Sequence, residues 1–383
     1  MLGYEAAVVP SSWVLCGSSF ASTSSSPTST TNCSPSTTMH PIKFNLTVDD
    51  FDSLITYPNQ SHWTTPDPSA APDPVLAIWF DSTYHRTNVS GASLSYSFKG
   101  SDLFLFGAAG PQFGSYEIEL DGRRETHSAY ASSQNASGHL LFSKHGLNVE
   151  REHELRVTNL GPKHKGEGTD LLVDFIKSTA QIVAPKGTTL ANTTLEETDA
   201  RLVYTGNWTE NVFNPLFSGG FSRFTNGDGA SVTLNFTASA LYILGDKTDR
   251  HGLYTVSLDG APPTTFNGVS GCGGAFAHAC EKDNTLAYFA TFDDEHEGRE
   301  HRVTVTNVPG ELGAFFDLDA FILTTASYPS LPHSPRELEV ERDVRGVQRR
   351  SSGAGPNANL PGFNLILFVL FLFALAGMRA GRR

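Results

Sequence analysis

The amino-acid sequence predicts an all-β protein: two tandem β-sandwiches flanked by segments that build no core. Three observations carry this. The chain nearly repeats itself, with "GSYEIELDG" at 114–122 and "GLYTVSLDG" at 252–260. Apolar and polar residues alternate at period two in both copies, as in strands with one buried face. Helical periodicity is missing, while turn signals recur about every eight to twelve residues, the spacing of sandwich folds.

The repeat is long. Phe98, Gly107, Tyr116, Asp121 and Gly122 match Phe236, Gly245, Tyr254, Asp259 and Gly260 at one offset of 138 (236 − 98, 245 − 107). Upstream, "DSLITYPNQSHWT" answers "DARLVYTGNWT". Downstream, "REHELRVTN" (151–159) answers "REHRVTVTN" (299–307), at an offset grown to 148 (299 − 151) by a longer loop in the second copy. A period this long means duplicated domains rather than solenoid units.

Each element follows from its residues. In "SLSYSF" and "SVTLNF", Leu94, Tyr96, Phe98 and Val232, Leu234, Phe236 share one face. "LFLFG" and "LYILG" are continuous apolar runs, expected where a strand is covered on both faces. Tyr116, Ile118 and Leu120 alternate with Glu117 and Glu119, and Asp121–Gly122 then signals a hairpin, as Asp259–Gly260 does in the second copy. "ELRVTN" and "RVTVTN" alternate again.

The predicted layout is a Ser/Thr-rich arm (1–40), two sandwiches (41–180 and 195–325), a stalk (326–360), an apolar segment (361–378) and a short basic tail (379–383). The arm starts as an atypical signal peptide, without a basic start and interrupted at Pro10. "FNLILFVLFLFALAGM" followed by "RAGRR" reads as a transmembrane helix with a cytoplasmic end, or as a GPI signal preceded by "SSGAG". Both place the sandwiches outside the cell or in a lumen. N-glycosylation sequons at Asn45, Asn59, Asn88, Asn135, Asn192, Asn207 and Asn235 agree. Cys272 and Cys280 share one Gly/Ala-rich loop, and a local disulfide is expected there. The formal net charge of −13 argues against a nucleic-acid partner.

The order "Y…W … GAS…F.F.G…L.G … Y.V.LDG … H.V.V.N … D.F.I" resembles the tandem ectodomains of fungal, basidiomycete-type membrane-anchored proteins with the galactose-binding-like jelly-roll fold. The resemblance covers both copies. It implies jelly-roll sandwiches and a family that includes carbohydrate-binding modules. Most matching positions are core and turn residues, so it speaks to fold more than to ligand.

Chemistry is sparse. Asp121 and Asp259 read as turn formers rather than ligands. Asp52 and Asp174, with their counterparts Asp199 and Asp319, are candidate cation ligands; jelly rolls of this type often carry a structural calcium where the termini meet, and no other cofactor is expected. The simpler role, strand-end hydrogen bonding, is preferred. "DDEHEGREH" (293–301) reads as a solvated hairpin loop. "GVSGC" misses the nucleophile elbow. Sugars stack on exposed aromatic rings. Trp63 and Trp208 match between copies and are expected in the core, whereas Trp79, Tyr84 and Phe213, with His85, lie in unmatched segments and are the carbohydrate-binding candidates.

The sequence thus suggests a non-enzymatic, N-glycosylated, membrane-anchored surface protein that binds carbohydrate such as cell-wall glycan. The alternatives are an adhesion or spacer module with a cell-surface protein partner, and a secreted glycoside hydrolase.

Overall fold

The computed structural model describes residues 39–66, 78–133, 135–271, 281–295, 298–308 and 314–328. Every described residue lies in one compact unit, Met1–Pro329. The predicted disulfide loop, the arm, the stalk and the C-terminal apolar segment fall outside the described residues. Among those described, no helix is long and apolar enough to cross a membrane.

The described chain is all-β, apart from short 3-10 turns, and both repeats form two-sheet sandwiches. In the first, β1 (Met39–Asp49), β3 (His85–Thr87), β5 (Asp102–Ala109), β8 (Asn135–His145) and β10 (Leu171–Pro185) make one sheet. The facing sheet runs β2 (Ile55–Thr56), β4 (Ser93–Lys99), β9 (Glu152–Gly161), β6 (Ser115–Leu120) and β7 (Arg123–Ser128). In the second, β11 (Thr189–Glu196), β14 (Phe221–Thr225), β16 (Ala240–Lys247), β19 (Lys282–Thr291) and β21 (Phe316–Ser327) repeat the first sheet, with β13 (Thr209–Val212) added at its edge. The facing sheet repeats the other order: β12 (Val203–Thr205), β15 (Ser231–Phe236), β20 (His301–Val308), β17 (Leu253–Leu258) and β18 (Thr264–Asn267). Strand for strand, the topology confirms a duplication.

The cores are those the alternation predicts. Leu94, Tyr96, Ile118 and Val157 of one sheet meet Leu103, Leu105, Val173 and Ile176 of the other. Val232, Leu234, Val256 and Val305 meet Leu241, Ile243, Leu318 and Phe321 in the second repeat. Each such side chain contributes roughly 1.5–3 kcal/mol on leaving water. The matched glycines Gly107 and Gly245 mark backbone crowding: a Cβ there would lie 2.0 Å from the Leu172 carbonyl oxygen and 2.5 Å from that of Asp317.

The Asp-Gly pairs form the expected turns. Asp121 and Gly122 have φ of 52° and 78°, and Asp259 and Gly260 have 53° and 73°. Positive φ at both positions fits the strand twist of a hairpin. Each aspartate also accepts a backbone N–H from the neighbouring strand, Glu154 at 3.1 Å and Arg302 at 2.9 Å. The recurring "REH" completes this lock: buried His153 and His301 hold the same aspartates at 2.7 and 2.8 Å. His301 also reaches Asp294 at 2.9 Å, so this part of the acidic 293–301 segment is structural.

Only residues 186–188 separate β10 from β11, and the sandwiches share a contact. Leu286 of β19 belongs to the first core, with Phe289 packed against it. Asp52 Oδ1 accepts the Leu286 N–H at 2.6 Å, and the Ser53 N–H donates to the Leu286 carbonyl at 3.1 Å. Ser53 Oγ donates to the Asn267 carbonyl, and Gln60 Nε2 to the Val269 carbonyl. Lys247 of the second repeat is buried near Asp49, Asp50 and Asp52 of the first; burial lowers its pKa to about 8, against the pull of those carboxylates.

Candidate functional site

Corresponding aromatic residues in the two repeats have opposite exposures. In the first repeat, Tyr57, Trp63 and His85 are all buried. Tyr57 stacks on His85 at 4.1 Å and meets Trp63 edge-on at 5.1 Å. His85 Nδ1 lies 2.5 Å from Asp50 Oδ2, and burial holds this imidazole well below its ordinary pKa while raising that of Asp50. The turn leading into Trp63 carries Gln60, which is anchored on the second sandwich.

In the second repeat, Tyr204, Trp208 and Arg223 take the corresponding positions on an open surface. Tyr204 and Trp208 meet edge-on at 5.0 Å. The Arg223 guanidinium lies 4.9 Å from the Tyr204 ring centre, and its Nη2 donates to Glu210 Oε1 at 2.7 Å. Trp208 Nε1 donates to the Thr205 carbonyl, which fixes the indole. These side chains, with Gly206, Thr209 and Val212, line a groove of about 640 Å³. The edge strands put Val203, Val212 and Phe213 at the surface nearby, with Phe213 87% exposed and 6.4 Å from the Phe221 ring. Two aromatic rings beside a paired guanidinium and carboxylate offer stacking and fixed hydrogen bonds together, the combination a sugar ring uses.

This placement corrects two of the carbohydrate-binding candidates, Trp79 and His85, and leaves Tyr84 partly exposed. Trp79 is 8% exposed and belongs to the first core, His85 is 2% exposed, and Tyr84 is half-buried against Trp79 at 5.2 Å. Their loop folds inward because its Thr83 and His85 satisfy buried Asp49 and Asp50. Phe213 is exposed as expected. Trp63 is core as expected, but its match Trp208 is only partly buried and lines the groove. The sequence signal for it was the matched tryptophan itself; its exposure depends on long-range packing.

The four cation candidates are not brought together as named. Asp52 is taken by the backbone N–H groups of Asp49 and Leu286. Asp199 pairs with Arg201 at 2.7 Å, which lowers its pKa to about 2. Asp174 and Asp319 instead bond to the turns that also bond to Asp49 of β1 and Glu196 of β11. Asp174 Oδ1 accepts the Phe80 N–H, and Asp319 Oδ1 that of Ser218, the matching turn. Asp49 holds Thr83 of the first turn, and Glu196 holds Ser218 of the second. Asp49 Oδ1, Asp174 Oδ2, Glu196 Oε2 and Asp319 Oδ2 are buried without a hydrogen bond. Burial raises both Asp174 and Asp319 to about 7. Among the described residues, no group of three or more His, Cys, Asp or Glu is arranged to hold a metal ion. Of the sequon asparagines, Asn45, Asn59, Asn88, Asn192, Asn207 and Asn235 are exposed.

No family model matches the chain. An A type blood alpha-D-galactosamine galactosaminidase from Flavonifractor plautii is 29% identical over 176 residues, 45% of this chain. The match spans only 15% of that curated relative's length. Among solved structures, the chain is similar to a Paenibacillus xanthan lyase, at 14% identity and a TM-score of 0.26, over 71% of this chain and 25% of that one. It is also similar to a family 35 carbohydrate-binding module from Clostridium thermocellum, at 12% identity and a TM-score of 0.25, over 35% of this chain and 98% of that one. At these TM-scores neither structural likeness bears on fold or function. All three proteins are named for carbohydrate. The curated match corrects the expectation of a non-enzymatic protein, because the relative is itself a glycoside-cleaving enzyme.

Proposed function

We propose that the protein is a carbohydrate-active protein that contacts glycan through the Tyr204–Trp208 groove of its second sandwich. The observation that carries this reading is the groove itself: two half-buried rings 5.0 Å apart that line an open groove, beside an Arg223–Glu210 pair. The relative named for alpha-D-galactosamine supports a glycan containing an amino sugar. In this reading the galactose-binding-like jelly roll is the scaffold, the exposed sequons carry N-glycans, and "FNLILFVLFLFALAGM" anchors the chain at the cell surface.

The test is a glycan array with the full chain, paired with a turnover assay on every glycan it retains. Retention that Trp208→Ala abolishes supports the groove. A folded protein silent on the array sinks the reading and favours a protein partner instead.

A second reading concerns calcium. We propose that Asp49 with Asp174, and Glu196 with Asp319, each bind one ion near the strand ends. The unpartnered buried oxygens of these four side chains favour it, since buried polar atoms are ordinarily satisfied. A chelator should then lower the melting temperature and added calcium restore it; no change in either direction overturns this reading.

A further inference from the structure

The second sandwich has a second cavity that its duplication does not explain. It measures about 280 Å³ and is lined by Phe224, Asp246, His251, Glu281, Phe315 and Asp317, with Thr248 and Arg250 at its rim. Asp246 and Asp317 are 7% and 5% exposed. Their counterparts in the first repeat are Ala108 and Leu172, both buried and apolar (246 − 108 is the offset of 138). The register confirms the match, since Gly107 stands opposite Val173 and Gly245 opposite Leu318. A position that holds alanine and leucine in one repeat does not need two carboxylates for folding.

One oxygen of each carboxylate is also unsatisfied, although Ser222 and Asn211 hydrogen-bond with Asp317. Asp246 Oδ1 and Asp317 Oδ1 are buried without a hydrogen bond. His251 Nδ1 lies 3.4 Å from Asp246 Oδ1, too distant for good hydrogen-bond geometry. Burial raises Asp246 well above its ordinary value and Asp317 to about 7, and each carboxylate pushes against other acids nearby. Burial also lowers His251 to about 4, so the imidazole is neutral and adds no positive charge at neutral pH. Arg250, which also lines the cavity, is exposed, and buried Lys247 lies close enough to His251 to lower its pKa further.

One further feature narrows the ligand. Phe224 and Phe315 meet edge-on at 5.8 Å in the cavity wall, so a ligand finds aromatic surface beside the acids. An organic cation with an apolar face fits better than a bare ion.

We propose that this cavity binds the ammonium group of a hexosamine, with Asp246 and Asp317 as its acceptors and Phe224 and Phe315 against the sugar ring. This rests on the carbohydrate reading above and names the sugar class. The unpaired oxygen of each carboxylate gains a donor through a charge-assisted hydrogen bond, the stronger kind. N-acetylation removes the charge and enlarges the group, so the acetylated sugar loses this contact.

The experiment is calorimetry on the full chain with galactosamine, N-acetylgalactosamine and galactose, on the native protein, Asp246→Asn, Asp317→Asn, Glu281→Gln and Trp208→Ala. The native chain should bind galactosamine at least about tenfold more tightly than the other two sugars. Asp246→Asn and Asp317→Asn should each remove most of that preference, with Glu281→Gln removing less. Equal affinity for the three sugars, or a preference that survives both Asn variants, overturns the proposal; galactose binding lost only in Trp208→Ala would then leave the groove reading intact. Absence of binding to any sugar overturns both. Thermal melts identify a variant that fails to fold.

Discussion

The two repeats keep one scaffold and use it oppositely. Tyr57, Trp63 and His85 of the first are sealed in its core, while Tyr204, Trp208 and Arg223 of the second line an open groove. The exchange of His85 for Arg223 shows why. A neutral imidazole can be buried on Asp50 at 2.5 Å, whereas a guanidinium stays charged and is held at the surface by Glu210. One substitution, with its acidic partner, separates a buried packing position from one that lines a groove. The same logic recurs where Ala108 and Leu172 of the first repeat face Asp246 and Asp317 of the second.

The largest effect should come from truncating the matched tryptophans. Trp63→Ala, which opens a cavity, should lower the unfolding free energy by about 3–5 kcal/mol in chemical denaturation. Trp208→Ala should cost far less stability and instead abolish glycan retention. Equal stability losses would erase the distinction between sealed and open sites. Next comes the pair Asp52 and Asp199. Asp52→Ala strands the N–H groups of Asp49 and Leu286, and should cost about 1–3 kcal/mol. Asp199→Ala breaks only a half-exposed pair with Arg201 and should stay within about 1 kcal/mol.

A smaller, matched effect should appear in both repeats with pH. Burial raises Asp174 and Asp319 from 3.8 to about 7. Across that window the folded chain holds protons that the unfolded chain has released. In chelator, the stability from these groups is therefore full below about 4 and falls as pH rises towards 7. Calcium should flatten this slope if the ion reading holds, since it replaces the protons. Melting curves between these limits, with and without calcium, check both signs. The smallest effect concerns one turn. Asp81 and Ser82 hold left-handed backbone at φ 48° and 65°, where the second repeat uses Gly219 and Gly220. Ser82→Gly should raise stability by roughly 0.5–1 kcal/mol; a loss would show that Ser82 makes a contact its repeat partner lacks.

Much of the scaffold was legible because its causes are local. Tyr116, Ile118 and Leu120 alternate with glutamates, and Asp121–Gly122 can only turn, so strand and hairpin follow without knowing their neighbours. The duplicated acids and the tryptophan pair were also visible. What could not be read was which of them water reaches. Trp79 sits in unmatched sequence that looks like a surface loop, yet Thr83 and His85 draw that loop onto buried aspartates 33 to 35 residues earlier. Asp52 looked free to bind an ion until its partner proved to be a backbone N–H 234 residues away. Periodicity assigns a face to a side chain; only the assembled sheets decide whether that face is covered.

Sealing Trp63 also sets valency. A tandem of two working grooves would hold a polymeric ligand at two points, and the second contact would be nearly intramolecular, gaining orders of magnitude in retention. With the first set of rings closed and the first sandwich joined to the second through Asp52 and Leu286, the described residues of each chain offer one such groove. Avidity for a polymer would then come from how densely chains are packed side by side, not from the duplication within any one of them.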